Sequence, residues 1–185
     1  MDAVALLEPT SMNDYVALLH SIVLGVGKRL IMADLRAMAE ELGFTDCRTL
    51  VATGNLVFRA EATPVREIED RLERAFEDRF GKHVDILVRS GGDWLKLAAD
   101  NPFAKGNPPD VCVRVMREPL GEGILGFLDK YRRQETIAVI GGDLWIDFKG
   151  KPSESRLLSA LTTRRLGIGT TRNANTVNGL AEMLR

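Results

Sequence analysis

Cysteine and histidine are scarce, because this 185-residue chain contains only two of each. Cys47 and Cys112 are far apart in the sequence, and neither has a second thiol or a histidine beside it. A zinc site needs three or four such ligands, usually in close pairs, so we predict no metal site. Both cysteines are expected to be buried, reduced side chains, which favours a cytoplasmic location.

The glycine-rich loop that binds a dinucleotide is also missing. Gly25 and Gly27 follow the first apolar run with the spacing of that motif. Leu30 stands where the third glycine is needed for close packing of the following helix. We therefore predict no cofactor.

An excess of one charge and long apolar runs are absent as well. The formal net charge is −1 and aromatic residues make up 6% of the chain, so neither global attraction to nucleic acid nor extensive base stacking is indicated. No apolar run approaches the roughly 20 residues that cross a bilayer, so we predict no membrane partner. The start of the chain lacks the basic and apolar segments of a signal peptide, and we expect residues 1–11 to form an irregular extension.

The spacing of apolar residues in the first half predicts the element order of a ferredoxin-like unit. Continuous apolar runs are typical of buried strands, and recurrence every three or four residues is typical of helices. The order over residues 14–89 is β-α-β-β-α-β, which is the split-βαβ arrangement. The predicted elements are a strand at 15–19, a helix at 32–42, strands at 49–52 and 56–58 around a turn at 53–55, a helix at 64–80 and a strand at 84–88.

The second half repeats much of this order after a stretch rich in proline, glycine and asparagine at 101–109, which we interpret as a linker. It ends with a helix where the first half has a strand. We therefore predict an α+β protein with two ferredoxin-like halves, 12–100 and 110–185, whose sheets are mainly antiparallel. The predicted elements are a strand at 111–116, a helix at 124–128, a hairpin of strands at 136–140 and 144–148, and helices at 155–166 and 173–184.

Two segments are rich in charge, and they have different patterns. The helix after Pro64 mixes both signs at i,i+4 spacing, as in the pair Arg66 and Asp70, which predicts a solvated outer face. Residues 149–172 instead hold six basic side chains and the single acid Glu154. Such an excess suits an anion site beside a helix start, but it also suits basic residues spread over the surface, and both interpretations remain open.

Five short strings of the sequence lie at 15–19, 32–36, 41–44, 54–58 and 171–177. Together they resemble a bacterial family called domain of unknown function 1697. The resemblance runs from about residue 14 to the end and implies an α+β fold and a bacterial source, but no activity. His20 and Val23 stand where that family usually has arginine and asparagine.

The predicted topology brings two of these strings together. The first two strands of a split-βαβ unit run parallel, so His20, at the end of the first strand, is expected at the same sheet end as the turn Thr53–Gly54–Asn55. This convergence indicates a ligand site. Tight-turn chemistry alone would also explain Gly54 and Asn55, so the structural alternative stays open.

The string that begins at Arg172 also has two interpretations. Arg172, Asn173, Asn175 and Thr176 could present a guanidinium group and amides to a phosphate. Alternatively, Asn173 or Asn175 caps the last helix while Arg172 binds the chain itself.

These observations favour a binding module for a phosphate-bearing ligand, a small molecule or a nucleic acid. Two alternatives are a small-molecule enzyme centred on His20 and Thr53, and an interaction protein that uses exposed sheet edges. The sequence indicates no catalytic residue and no oligomeric state. The candidate ligand-binding residues are His20, Thr53, Gly54, Asn55, Ser155, Arg156, Arg172, Asn173, Asn175 and Thr176.

Overall fold

A computed structural model of the protein describes residues 11–185. The predicted irregular extension over residues 1–11 lies outside the described residues, except for Ser11. The described elements are β1 (Met12–Leu19), β2 (Val23–Gly25), β3 (Lys28–Arg29), α1 (Met32–Glu41), β4 (Thr45–Thr49), β5 (Asn55–Glu61), α2 (Val65–Phe80), β6 (Ile86–Ser90), α3 (Gly91–Ala99), β7 (Val111–Met116), α4 (Ile124–Leu128), β8 (Thr136–Ile140), β9 (Asp143–Asp147), α5 (Thr163–Leu166), β10 (Gly169–Asn173) and α6 (Ala174–Met183), with 3₁₀ turns at Pro152–Glu154 and Arg156–Ala160.

The strands form two four-stranded sheets and a small ribbon. The first sheet has the order β4-β5-β1-β6, the second has the order β10-β7-β9-β8, and the ribbon pairs β2 with β3. Every neighbouring pair in the two sheets is antiparallel. The predicted α+β class with antiparallel sheets is therefore confirmed.

The strand β1 explains why its sequence is a continuous apolar run. Tyr15, Ala17 and Leu19 pack on one side with α1 and α2, whereas Val16 and Leu18 pack on the other side. A strand that is covered on both faces needs apolar side chains at consecutive positions.

Both sheets and two helices share one central core. Val16 and Leu18 of the first sheet and Val113 and Trp145 of the second sheet belong to the same buried cluster, together with residues of α3 and α6. Trp94 on α3 is fully buried there, and its indole N–H donates to the carbonyl of Val177 on α6 at 3.2 Å. The shared core places loops from both halves next to each other.

The helix α2 corrects the prediction of a wholly solvated outer face. Glu69 and Glu73 are buried, and their carboxylates accept hydrogen bonds from the backbone N–H groups of Val88 (2.9 Å) and Ile86 (3.0 Å) on the edge strand β6. Arg117 from the second half pairs with both carboxylates. These charges therefore cover a sheet edge that would otherwise present unpaired backbone groups.

The predicted continuous helix over 155–166 is wrong. The chain instead forms the two 3₁₀ turns and the short helix α5. Ser155 is extended, and its hydroxyl accepts from the N–H of Leu157 and donates to Glu135. Leu157 and Ala160 pack against the second sheet, and the backbone leaves helical geometry at Leu161. Local capping and sheet packing therefore outweigh the helical spacing of the apolar residues.

Several strands differ from the prediction, which contained neither strand of the β2–β3 ribbon. The chain forms β10 immediately before α6, where no strand was predicted, because its short run of glycine, threonine, arginine and asparagine has no apolar alternation. The strand predicted at 49–52 is wrong in its position, because β4 ends at Thr49. Val51 lies in the turn with a φ of 48°, a left-handed value that no regular strand contains.

Candidate functional site

His20 lies beside the turn Thr53–Gly54–Asn55, at the end of the first sheet. The N–H of Leu19, which precedes His20, donates to the carbonyl of Gly54 at 2.9 Å. The exposed ring of His20 also reaches the second sheet, because its Nδ1 lies 3.0 Å from the carbonyl oxygen of Gly169. The end of β1, the β4–β5 turn and the start of β10 therefore meet at one place.

Arg172 on β10 extends from the second sheet into this turn. Its Nε donates to Oδ1 of Asn55 at 2.5 Å, and its Nη2 donates to the carbonyl of Leu19 at 2.8 Å and to those of Thr53 and Gly54 at 3.3 and 3.4 Å. Its Nη1 donates to the hydroxyl of Thr170 at 2.8 Å and to a backbone carbonyl at 2.9 Å. One guanidinium group thus ties the two sheets together.

The hydrogen-bonding capacity of Arg172 is used within the protein. The residue is 8% exposed, and a guanidinium group has five N–H donors, all of which have acceptors here. Burial lowers the pKa of Arg172 to about 10, so the group stays protonated at neutral pH. These hydrogen bonds agree with the second interpretation of the sequence, in which Arg172 binds the chain itself.

Gly54 and Asn55 stabilise the conformation of the β4–β5 turn that contacts Arg172. Gly54 has a φ of 76°, and a Cβ atom there would lie 2.8 Å from Cβ of Leu19, closer than real Cβ contacts. Asn55 is fully buried, and its Nδ2 donates to the carbonyl of Leu50 at 3.0 Å and to Oγ1 of Thr53 at 2.8 Å. The turn is therefore shaped to receive Arg172.

The remaining residues of this string belong to the start of α6. Asn173 is the N-cap, because its Oδ1 accepts from the N–H of Thr176 at 3.0 Å. Asn175 is exposed on the first turn of the helix. The sequence offered Asn173 and Asn175 as alternative caps of this helix, and the cap in the structure is Asn173.

Ser155 and Arg156 lie elsewhere, in a cavity of about 280 Å³ at one end of the β8–β9 hairpin. The lining of this cavity contains neither His20, Thr53 nor Arg172. The structure therefore separates the sequence-predicted residues into an inter-sheet junction and this cavity. We call it the Ser155 cavity; its lining residues are Arg133, Gln134, Glu135, Phe148, Gly150, Lys151, Glu154, Ser155 and Arg156.

A buried carboxylate lies in the wall of the Ser155 cavity. Glu135 is 5% exposed and accepts hydrogen bonds from the hydroxyl of Ser155 and, at 2.6 Å, from the N–H of Arg133. Burial by itself raises the pKa of Glu135, but these hydrogen bonds outweigh it and hold the pKa below its ordinary value. The carboxylate is therefore ionised at neutral pH.

Three basic side chains surround the same cavity. Lys151 has only a long ion pair with Glu154, at 3.9 Å. Arg133 and Arg156 are exposed, and neither side chain pairs with a carboxylate in the part of the chain that the structure describes. Two guanidinium groups thus remain available to a ligand.

A family model supplies independent information about the chain. The model described as "Protein of unknown function (DUF1697)" matches residues 12–145. The chain belongs to this family. The resemblance inferred from the sequence strings is therefore confirmed over residues 12–145, and the string at 171–177 lies beyond the match. Within the DUF1697 match lie Arg133 and Glu135, whereas Ser155 and Arg156 follow it.

The fold of this DUF1697 protein is similar to that of a conserved bacterial protein from Streptococcus pneumoniae. The two chains are 20% identical and superpose with a TM-score of 0.70 over 95% of this chain and 100% of the other. At this identity the likeness concerns the fold. No curated protein matches the chain.

Arg133 and Glu135 were not among the residues predicted from the sequence. The predicted hairpin contained a signal for them, because residues 133–135 directly precede one strand and residues 148–151 directly follow its partner. The register Thr136–Asp147 then brings these two segments to the same end of the hairpin.

Residues 11–185, which the structure describes, also lack two kinds of feature. No group of three His, Cys, Asp or Glu side chains in this range is arranged to hold a metal ion. Within the same residues, each helix is too short or too polar to cross a membrane.

Proposed function

We propose that this protein binds a phosphate-bearing small molecule in the Ser155 cavity. One observation carries the proposal: Arg133 and Arg156 line the same cavity, and neither has a carboxylate partner among the described residues. A guanidinium group matches the geometry of phosphate because it donates two parallel hydrogen bonds. Lys151 adds a third positive charge to the lining.

The buried carboxylate restricts the ligand further. Glu135 is ionised and repels a second negative charge, so the phosphate lies towards the exposed Arg133 and Arg156. A ligand that places hydroxyl groups next to Glu135 donates hydrogen bonds to it instead. The proposed class is therefore a phosphorylated molecule that also carries hydroxyl groups, such as a sugar phosphate or a nucleotide.

Nucleic acid and catalysis have less support. The six basic side chains of residues 149–172 are not all available to nucleic acid, because Arg172 is buried in the inter-sheet junction and Lys149 pairs with Asp147. An enzyme centred on His20 and Thr53 requires a turn that a ligand can reach, but the buried guanidinium group of Arg172 already binds the carbonyls of Thr53 and Gly54.

Binding is tested by titrating the full chain, followed by calorimetry, with inorganic phosphate, glucose 6-phosphate, AMP and a short RNA or DNA. Measurements at about 50 mM and about 200 mM salt report the electrostatic part of binding. The double variant Arg133→Ala/Arg156→Ala is expected to weaken binding of the phosphorylated small molecules about tenfold or more. The control Lys130→Ala/Arg164→Ala makes the same change in charge at exposed residues outside the cavity lining, and we expect little effect from it.

Three results would overturn the proposal. They are the absence of binding to every probe, equal losses in the two double variants, and preference for the RNA or DNA over the small molecules. The last result would identify nucleic acid as the ligand.

We also propose that the two halves, 12–100 and 110–185, are ferredoxin-like units joined by residues 101–109. The order of strands in the two sheets supports this. When the four strands of each sheet are counted in chain order, the fourth lies beside the first, and the third lies between the first and the second. Superposition of the halves in an experimental structure tests it. A failure to superpose all four strands would refute the duplication.

A further inference from the structure

A second cavity lies between α3 and the β8–β9 turn, where the two halves meet. Its volume is about 250 Å³, and no residue of its lining belongs to the Ser155 cavity. Leu97, Ile140 and Trp145 form its apolar wall. The second cavity is therefore a separate site from the one proposed for the phosphate ligand.

Asp143 contributes a buried carboxylate to the lining of this second cavity. The residue is 7% exposed, and its Oδ1 accepts from the N–H of Met116 at 2.7 Å and from Nη2 of Arg89 at 3.3 Å. No residue between 11 and 185 donates a hydrogen bond to its Oδ2. Burial raises the pKa of Asp143, although the charge of Arg89 opposes the increase.

The charges that line the second cavity do not balance. Arg89 pairs with Asp143, and Lys96 pairs with Asp100 at 2.5 Å. Asp93 also lines the cavity, but its carboxylate accepts from the hydroxyl of Ser90 and has no cationic partner within the described range 11–185. Both cations of the lining are thus paired, and among residues 11–185 the exposed carboxylate of Asp93 is left without a positive partner, so the lining carries one excess negative charge.

We propose that the second cavity binds a small primary amine. The ammonium group donates hydrogen bonds to Oδ2 of Asp143 and to the carboxylate of Asp93, and a short alkyl chain packs on Leu97, Ile140 and Trp145. A protonated amine supplies the charge and the donors that this lining lacks. An anionic ligand finds both of the cations already paired.

Nuclear magnetic resonance tests this with uniformly ¹⁵N-labelled full-length protein and n-butylamine as the probe, which is protonated at neutral pH. The neutral probe 1-butanol and the anionic probe butyrate have similar alkyl chains. We expect n-butylamine to shift the backbone signal of Gly141 and the indole signal of Trp145. We expect its affinity to exceed that of the other two probes about tenfold or more.

Two variants localise the amine. Asp143→Asn keeps a side-chain oxygen for Met116 but removes the charge, and it is expected to weaken butylamine binding about tenfold. Leu97→Trp leaves every carboxylate in place and is expected to block the cavity by volume. Asp78→Asn removes one exposed charge outside the lining and is expected to bind like the unchanged protein. The dispersion of the ¹⁵N spectrum shows whether each variant folds.

Four results would overturn the proposal. They are the absence of butylamine binding, equal binding of butanol, shifts confined to residues outside the second cavity, and unchanged butylamine binding in both folded cavity variants. The phosphate titration of the Ser155 cavity uses other side chains, so failure of one proposal is distinguishable from failure of the other.

Discussion

Arg172 and Arg156 belong to the same basic segment, and the sequence suggests a ligand for both, yet the structure gives them opposite surroundings. Arg172 is buried and its guanidinium group binds the turn of the other sheet. Arg156 is exposed in the lining of the Ser155 cavity, where its side chain pairs with no carboxylate in the described part of the chain. A local excess of positive charge therefore does not reveal whether each group is satisfied inside the protein or available to a ligand.

The largest expected effect comes from Arg172→Met, which keeps an apolar stem but removes every donor. Asn55 Oδ1 and the carbonyl of Leu19 then lose their buried partner, and an unsatisfied buried acceptor costs about 1–3 kcal/mol. We expect the free energy of unfolding to fall by about 3 kcal/mol or more. Urea denaturation followed by circular dichroism measures this change.

Arg164→Met is the matched control, because Arg164 is exposed in the same basic segment. We expect its stability to stay within about 0.5 kcal/mol of the unchanged protein. Arg172→Lys keeps the charge without the planar fork, so its loss of stability is expected to be intermediate. Equal stabilities of the Met variants at 164 and 172 would contradict the role of Arg172 as a tie between the sheets.

The next effect concerns the wall of the Ser155 cavity. Glu135→Gln replaces one acceptor oxygen with an amide that cannot accept from both Ser155 and Arg133. We expect a loss of about 1–3 kcal/mol in the free energy of unfolding at neutral pH. Denaturation at a series of pH values measures it.

The pH dependence of this loss has a definite sign. Because hydrogen bonds lower the pKa of Glu135 in the folded protein, its carboxylate stabilises the fold above the unfolded pKa of about 4.3. This stabilisation disappears as the pH falls through the lower folded value. The difference between Glu135→Gln and the unchanged protein should therefore shrink in acid. A constant difference from pH 7 to pH 3 would contradict the lowered pKa, and Glu154→Gln provides an exposed control.

Much of the fold follows from local patterns in the sequence. The strand Val111–Met116 has the predicted bounds. The helix Val65–Phe80 stops before Gly81, its C-cap, whose φ of 71° suits glycine. These elements have strong apolar periodicity or a strong stop signal. The strand Gly169–Asn173 has neither apolar periodicity nor a stop signal. It forms because it pairs with β7 and because Arg172 is buried. Its existence depends on distant residues that no local pattern contains.

The candidate site was predictable only in part, for a similar reason. The topology placed His20 next to the turn at Thr53, and the structure has this contact through Leu19 and Gly54. The role of Arg172 as a bond between sheets requires the packing of one half on the other, which periodicity does not specify. Glu135 was missed because its hydrogen-bond partner, the hydroxyl of Ser155, lies twenty positions away in the sequence.

The smallest expected effect separates two asparagines on the same string as Arg172. Asn173→Ala removes the side-chain oxygen that accepts from the N–H of Thr176 at the start of α6, and loss of such a cap costs about 1 kcal/mol. Asn175→Ala changes an exposed side chain of the same helix, and we expect a change within about 0.5 kcal/mol. Thermal denaturation of the two variants measures the difference. If this string instead presents amides to a phosphate, Asn175→Ala will weaken binding of AMP or glucose 6-phosphate at unchanged stability, and the division between a structural junction and a ligand cavity will fail.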